Sequence, residues 1–482
     1  MHKKILVLGI IIIFLGTCIT LSVAIDTVKE PHKPLSFWKT YYVGGTGPGN
    51  YSMIQDAIDD ANDDDTVFVF DYSSPYYENL IVNKSLSLIG ENKFTTIIDG
   101  KEQGDIINIS KSNVTLTDFT IKNTSKEGIA ITTCSDNTII TNNIINNFDQ
   151  GIKIEYCNNH IIENNTLHST DLSTSIFLKK SSNNLIANNT ILNMGGGIIL
   201  YLSSNYNNIS GNYIDQGTCY ITHTSNYNIW INNSIINHGG MCIYQGSCYN
   251  TLKNNIFSNE SWECVKITGQ SNYNILTNNT FCDSLKGVRI GNSNQNKLYH
   301  NRFLNNWQGN AQDNGKNIWD NDYPSGGNYW DDYTDNDYNN DSIGDSPYNI
   351  SHGSNQDKYP LGYYDYEPPI IDIIGFEENY LYFFNFRLLP LPNATVFIGP
   401  AVFSVNVTDD YLFDVYFIDV YVDGVYKGGI GGLNKPYNFT FHKINMIDTF
   451  FDIFKHKYTI TFESKDCHGN IARKDVIVWL FL

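Results

Sequence analysis

Apolar residues along most of this chain fall at every second position, in short bursts separated by Asn, Gly and Ser. One unit, N-x-Φ-x-x-N-x-Φ with Φ apolar, is set by Asn184, Ile186, Asn189 and Ile191. It recurs at Asn207/Ile209/Asn212/Ile214, Asn228/Trp230/Asn233/Ile235 and Asn250/Leu252/Asn255/Phe257. Asn274/Leu276/Asn279/Phe281 and Asn296/Leu298/Asn301/Phe303 continue it, at a spacing of 21 to 24 residues. A second signal, Φ-x-Φ, keeps the same period from Ile152/Ile154 through Met241/Ile243 to Val288/Ile290. Period two is the mark of a strand with one buried face. Short strands repeating about every 22 residues predict the coils of a parallel β-helix. The chain is therefore read as all-β, with a right-handed parallel β-helix of about ten coils over residues 41–312.

In such a helix the last residues of Φ-x-Φ form one interior column: Ile154, Leu178, Leu200, Ile221, Ile243, Ile267 and Ile290. Asn at the turns accepts left-handed backbone angles, and stacked Asn side chains bond along the axis. The repeated Asn residues are accordingly read as structural. Open ends would expose strand edges. Tyr51–Ala61 supplies an N-terminal capping helix, with Ile54, Ala57, Ile58 and Ala61 on one face.

Beyond the stiff Glu367-Pro368-Pro369 break the repeat disappears. Val402–Val407, Ile418–Tyr426 with an Asp423-Gly424 turn, Tyr458–Phe462 and Asp475–Trp479 alternate as strands. They predict a small β-sandwich over 366–482. At the other end, Lys3 and Lys4, an apolar run and Ser22-Val23-Ala24 read as a signal peptide over 1–24, then a linker over 25–40. Left uncut, the same run is long enough to anchor the protein in a membrane. Either way the product is secreted or at the cell surface.

A net charge of −19 and the lack of a basic arm argue against a nucleic-acid partner. Cysteines in an exported chain suggest disulfides. Cys134 and Cys157, and Cys242 and Cys264, lie about one repeat apart, so each pair would bond or simply pack. N-x-S/T sequons, for instance at Asn83, Asn188 and Asn406, offer glycan acceptors.

Several stretches together resemble a known family. Tyr42-Val43-Gly44-Gly45, Ile54-Gln55-Asp56-Ala57-Ile58, Lys84–Gly90 and Thr96–Gly100 look like the NosD-like β-helix proteins, which overlap the carbohydrate-binding and sugar-hydrolysis repeat group. Gly326–Tyr333 and Asp345–Tyr348 look like the segment over 313–365 that terminates such helices on archaeal surfaces. Tyr421–Gly424 and Asp466–Asn470 look like immunoglobulin-like modules of surface proteins. The resemblance implies a pectin-lyase-like fold and, from the family label, copper delivery. The fold itself hosts many activities.

Four candidate chemistries follow. Asp335, Asp337, Asn339, Asp341 and Asp345 place oxygen ligands at alternate positions, a pattern suited to calcium. On the outer side of the Φ-x-Φ strands, Tyr201, Tyr220 and Tyr244 come together with Lys266 and Arg289 beside them. Aromatic rings pack on sugars and basic groups attract carboxylates, so this face suits an extended acidic glycan. His238, Met241 and Cys242 form the one soft cluster for copper, though Met241 faces in and Cys242 out. Asp99, Asp105, Asp118 and Asp136 make no tight pair for catalysis, and no carboxylate or His partner is expected level with Lys266 and Arg289. The reading is a protein that binds carbohydrate or a cell-surface component without catalysis. The alternatives are a lyase or epimerase acting on uronates and a copper-delivery protein.

Overall fold

The computed structural model describes residues 38–481, except 170–172, 194, 340, 363–368, 375–376, 384, 393, 399–400, 409–416, 432–436, 442–456 and 466–470. The expected signal peptide, most of the linker and Asp466–Asn470 lie outside the described residues. Among the described residues no helix is long and apolar enough to cross a membrane.

Three parallel sheets wrap one core. The first holds 12 strands, and the second and third hold 11 each. The helix thus has about twelve turns, not ten. The additional early turns come from Thr40–Val43 and Thr66–Val69, which carry no Asn pair and are separated by the capping helix Ile54–Asp60. Ile54, Ala57, Ile58 and Ala61 are fully buried on the expected face of that helix.

The interior column is as the period predicts. Ile154 pairs with Leu178, Leu178 with Leu200, and so through Ile221, Ile243 and Ile267 to Ile290 in the third sheet. All seven are at most 1% exposed. Each residue between them must point to the other face of the sheet.

The Asn residues form two buried ladders. In the turn from the first to the second sheet the backbone N–H and Nδ2 of Asn189 both donate to Oδ1 of Asn212, at 3.0 Å each, and Nδ2 also donates to Ile162 O. The pattern repeats through Asn233, Asn255, Asn279 and Asn301 to Asn328. Every donor then lies on one side of a coil and every acceptor on the other, so the last Asn needs a pure acceptor. Asp357 provides it. Its Oδ2 accepts from Asn328 N at 2.6 Å and Trp330 Nε1 at 3.0 Å, and its Oδ1 accepts from Tyr359 N. The second ladder runs from Asn184 to Asn317 and ends likewise on Asp313, which also takes Trp319 Nε1 at 2.8 Å. Phe303, Trp330 and Tyr348, stacked at 4.2 and 4.1 Å, plug the core at the same end.

Tyr348–Asn349 and Gln356–Asp357 pair as a 2-stranded antiparallel sheet, and the strands beyond residue 369 form a 3-stranded and a 7-stranded sheet around a separate core that includes Phe403, Val405, Ile418, Val420, Ile460 and Val478. The Asp423-Gly424 hairpin is present, with φ of 51° and 82° and Val422 paired to Val425. The larger sheet is mixed: Val396–Ile398 runs parallel to both Tyr380–Phe383 and Ile471–Phe481.

Candidate functional site

The outward residues of the third sheet lie in one line because the coils stack in register. Lys153, Phe177, Ile199, Tyr220, Cys242, Lys266 and Arg289 are successive partners. Tyr201 stacks on Phe177 at 5.9 Å between ring centroids. Tyr220 meets Tyr244 edge to face at 6.1 Å. What joins Tyr201 to Tyr244 is His223, 4.5 Å from the first ring and 6.4 Å from the second. The five rings make one half-buried aromatic patch across four successive coils.

The strand pattern does not reach His223, which stands two residues past the Φ-x-Φ pair Cys219/Ile221, in a left-handed turn with φ 53°. Its neighbour Thr222, expected to face out, is only 2% exposed. The reason is local. Thr222 Oγ1 donates to Gln245 Oε1 at 2.8 Å, and so accepts from His223 Nδ1–H at 2.9 Å. In the neutral ring that pairing places the proton on Nδ1 and leaves Nε2 as an acceptor among the rings.

Lys266 and Arg289 continue the face, but not without a carboxylate, as the sequence suggested. Arg289 Nη1 pairs with Glu263 Oε1 at 3.1 Å. Glu263 stands in register with Lys286, whose Nζ donates to Gln312 Oε1 at 3.1 Å. Lys266 has no carboxylate partner, and its ammonium lies beside Cys242. Burial pushes the Cys242 thiol up, and that ammonium pulls it back down. Three cations against one carboxylate leave a local net charge of +2 on a chain of −19. The patch therefore runs from aromatic to basic along one straight face.

The acidic loop turns its oxygens on its own backbone. Asp337 Oδ1 and Asn339 Oδ1 accept from Asp341 N at 3.2 and 3.1 Å, and Asp337 Oδ2 accepts from Ser342 N. Asp341 Oδ1 takes Ile343 N, and Asp345 Oδ2 takes Tyr338 N at 2.7 Å. Asp335 lines a neighbouring cleft with Tyr333 and Asn336. Gly344 is required because any side chain there would strike Tyr333. Among the described residues no three His, Cys, Asp or Glu side chains converge to hold a metal ion. His238 Nδ1 is engaged with Ser261 Oγ, and Met241 is buried while Cys242 faces out, so those three do not meet. The described cysteines are free thiols. Cys242 stands opposite Lys266 and not Cys264, which breaks the expected pairing.

Residues 62–214 and 105–257 match the right handed beta helix region model, and residues 215–335 match the model of the periplasmic copper-binding protein NosD. The matches cover the coils and run into the terminating segment. The chain is a NosD-like right-handed β-helix protein. No curated protein matches the sequence of this NosD-like chain. Solved structures are similar to it at low identity. The Mannuronan C-5 epimerase AlgE6 A-module of Azotobacter vinelandii is 15% identical, with a TM-score of 0.39, over 54% of this chain and 73% of that one. An alginate lyase from Paenibacillus sp. is 13% identical, with a TM-score of 0.38, over 60% and 97%. The catalytic domain of a GH87 alpha-1,3-glucanase in complex with nigerose is 11% identical, with a TM-score of 0.43, over 58% and 64%.

Proposed function

We propose that this is an exported protein that holds an acidic polysaccharide along the outer face of its third sheet. The observation that carries the reading is the continuity of that face. Rings of Phe177, Tyr201, His223, Tyr244 and Tyr220 pass directly into Lys266 and Arg289, one coil at a time. Coils advance by about 4.8 Å, so an extended glycan places roughly one sugar over each coil. Rings pack on sugar faces, and the cations pair with uronate carboxylates.

Calorimetric titration with a linear hexauronate tests the reading. Tyr220→Ala is expected to weaken binding by about 1 kcal/mol, the worth of an aromatic contact. Arg289→Ala is expected to weaken uronate binding further and to leave neutral glycans unaffected. Glu263→Gln is the opposite case. It releases Arg289 to form a bidentate pair with the ligand, so affinity should rise several-fold, most visibly at low salt. Equal affinity in wild type, Arg289→Ala and Glu263→Gln would remove the basic end from the site.

A second reading, a uronate lyase or epimerase, is favoured by one observation: the free Nε2 of His223. A neutral imidazole there can take a ring proton of a bound sugar, while Lys266, two coils further on, holds a neighbouring uronate. Elimination would appear as ultraviolet absorbance of an unsaturated product and epimerisation as exchange of a ring C–H for deuterium from solvent; absence of both with bound hexauronate would leave binding alone.

A further inference from the structure

On the turn before the first sheet, a different face of the helix carries four more tyrosines. Tyr206, Tyr227, Tyr249 and Tyr273 come from four successive coils, with ring centroids 5.1 Å apart at each step. Their planes agree within 5°, 7° and 3°. Each ring is between 45% and 59% exposed.

Backbone preference does not explain them. All four hold φ between 56° and 59°, a left-handed conformation that bulky residues avoid. The same turn is filled by Asn113, Asn137, Asn159 and Asn183 in earlier coils, with φ of 60° to 64°. Asn is the residue the turn prefers. Four rings are thus carried where four amides would fold at less cost.

A second row runs beside them. Asn205 Oδ1 accepts from Asn226 N, Asn226 Oδ1 from Cys248 N, Asn272 Oδ1 from Asn294 N and Asn294 Oδ1 from Lys316 N. The oxygens are used up, while Nδ2 of Asn205, Asn226, Asn272 and Asn294 makes no bond to the protein. On the other flank Ile229 and Ile275 are 47% and 37% exposed. The strip therefore offers a ring on each of four coils and an uncharged amide donor beside three of them, Cys248 taking that place beside Tyr249, with Ile229 and Ile275 alternating with Asn208 and Thr251 on the flank.

We propose that this strip is a second glycan site, for a neutral, extended polysaccharide lying along the helix axis with one sugar per coil. The chemistry excludes the acidic chain assigned to the third sheet, because no cation stands among the rings. Hydroxyl-rich sugars take the amide donors, their C–H faces meet the rings, and nothing in the row rewards a carboxylate. A second copy of this chain is the competing occupant, and the test separates the two.

The test uses the double variant Tyr227→Asn/Tyr249→Asn, which restores the turn's own residue and so should fold. Wild type and variant are titrated with cellohexaose and mannohexaose, and with a linear hexauronate as the control. Thermal melting and sedimentation are recorded on the same samples. The expected result is binding of a neutral hexaose by wild type, at least a tenfold loss in the variant, unchanged hexauronate behaviour and a melting temperature that holds or rises. The proposal is overturned if wild type binds neither neutral hexaose, or if the variant binds as well as wild type. A fall in melting temperature with binding intact would make the stack a structural element. A wild-type dimer that becomes monomeric in the variant would assign the strip to self-association.

Discussion

Asp357→Ala is expected to destabilise the helix by about 2–6 kcal/mol, and to do so from a residue that lies outside the repeat. Asp357 is fully buried and receives Asn328 N, Asn328 Nδ2 and Trp330 Nε1 on one oxygen. Removal leaves two buried donors, Asn328 N and Trp330 Nε1, with no acceptor, at about 1–3 kcal/mol each, while Asn328 Nδ2 keeps Leu298 O and Trp319 O. The ladder makes matters worse. Its amides all point their donors toward this end, so the carboxylate sits where aligned dipoles favour negative charge. Asp357→Asn is the informative comparison. It keeps one oxygen for the three donors but turns an amino group on Tyr359 N–H, so a smaller loss is expected. Chemical denaturation followed by circular dichroism reads both. A loss under about 1 kcal/mol for the alanine variant would mean the ladder does not need its terminal acceptor.

The second large effect lies at Glu260, and it depends on pH. This side chain is 1% exposed, and neither carboxylate oxygen has a hydrogen-bond partner. Burial pushes its carboxyl up to about 8 from an ordinary 4.5, against a partial pull from the Gly240 and Gly239 amides. Burial likewise pushes Asp357 up to about 7 from 3.8. A raised carboxyl stabilises fully below its unfolded value, and the contribution is lost as pH climbs through the folded value. Stability should therefore fall between about pH 4 and pH 8, with Glu260 accounting for about 3–5 kcal/mol of the fall. His160 acts at the acid side. Burial holds it down at about 4 from 6.5, so its contribution is present above 6.5 and lost as pH falls toward 4. Glu260→Gln keeps the shape and cannot ionise. Its unfolding free energy should fall less than that of wild type from about pH 6 to 8, the remaining fall coming from Asp357. Parallel profiles for the two proteins would show that Glu260 ionises in the fold without cost.

The interior of this protein was legible in its sequence because one rule, period two, governs every coil. Ile154 through Ile290 needed no tertiary information to be aligned. The Asn residues were legible as turn formers and stackers for the same reason. Their termination was not. Asp357 lies 29 residues beyond Asn328, outside any repeat, and only the folded chain brings it to the end of the ladder. The coil count came out low because Thr40–Val43 and Thr66–Val69 form turns of the helix without the Asn signal. On the outer face the three tyrosines and the two cations were placed by register alone. His223 was not, since an αL turn residue escapes strand alignment, and Glu263 was not, since it reaches Arg289 diagonally and not along its own row. The tyrosines at 206, 227, 249 and 273 were overlooked for a related reason: the eye follows strands, and these rings stand on turns. The acidic loop was legible as a turn rich in oxygens, but not in what those oxygens bond to within the chain. Alternating Asp and Asn suit a cation, but the same spacing suits caps for loop amides, and the structure uses them so.

The central claim is that an acidic glycan lies across the third sheet, and hydroxyl-radical footprinting with bound hexauronate tests it most directly. Protection is predicted in the strands and turns that carry Tyr201, Tyr220, His223 and Tyr244, and in Lys286–Gly291 around Arg289. Tyr206, Tyr227, Tyr249 and Tyr273 should stay as reactive as in the free protein. Protection confined to those four tyrosines, or to residues outside the helix, would contradict the assignment.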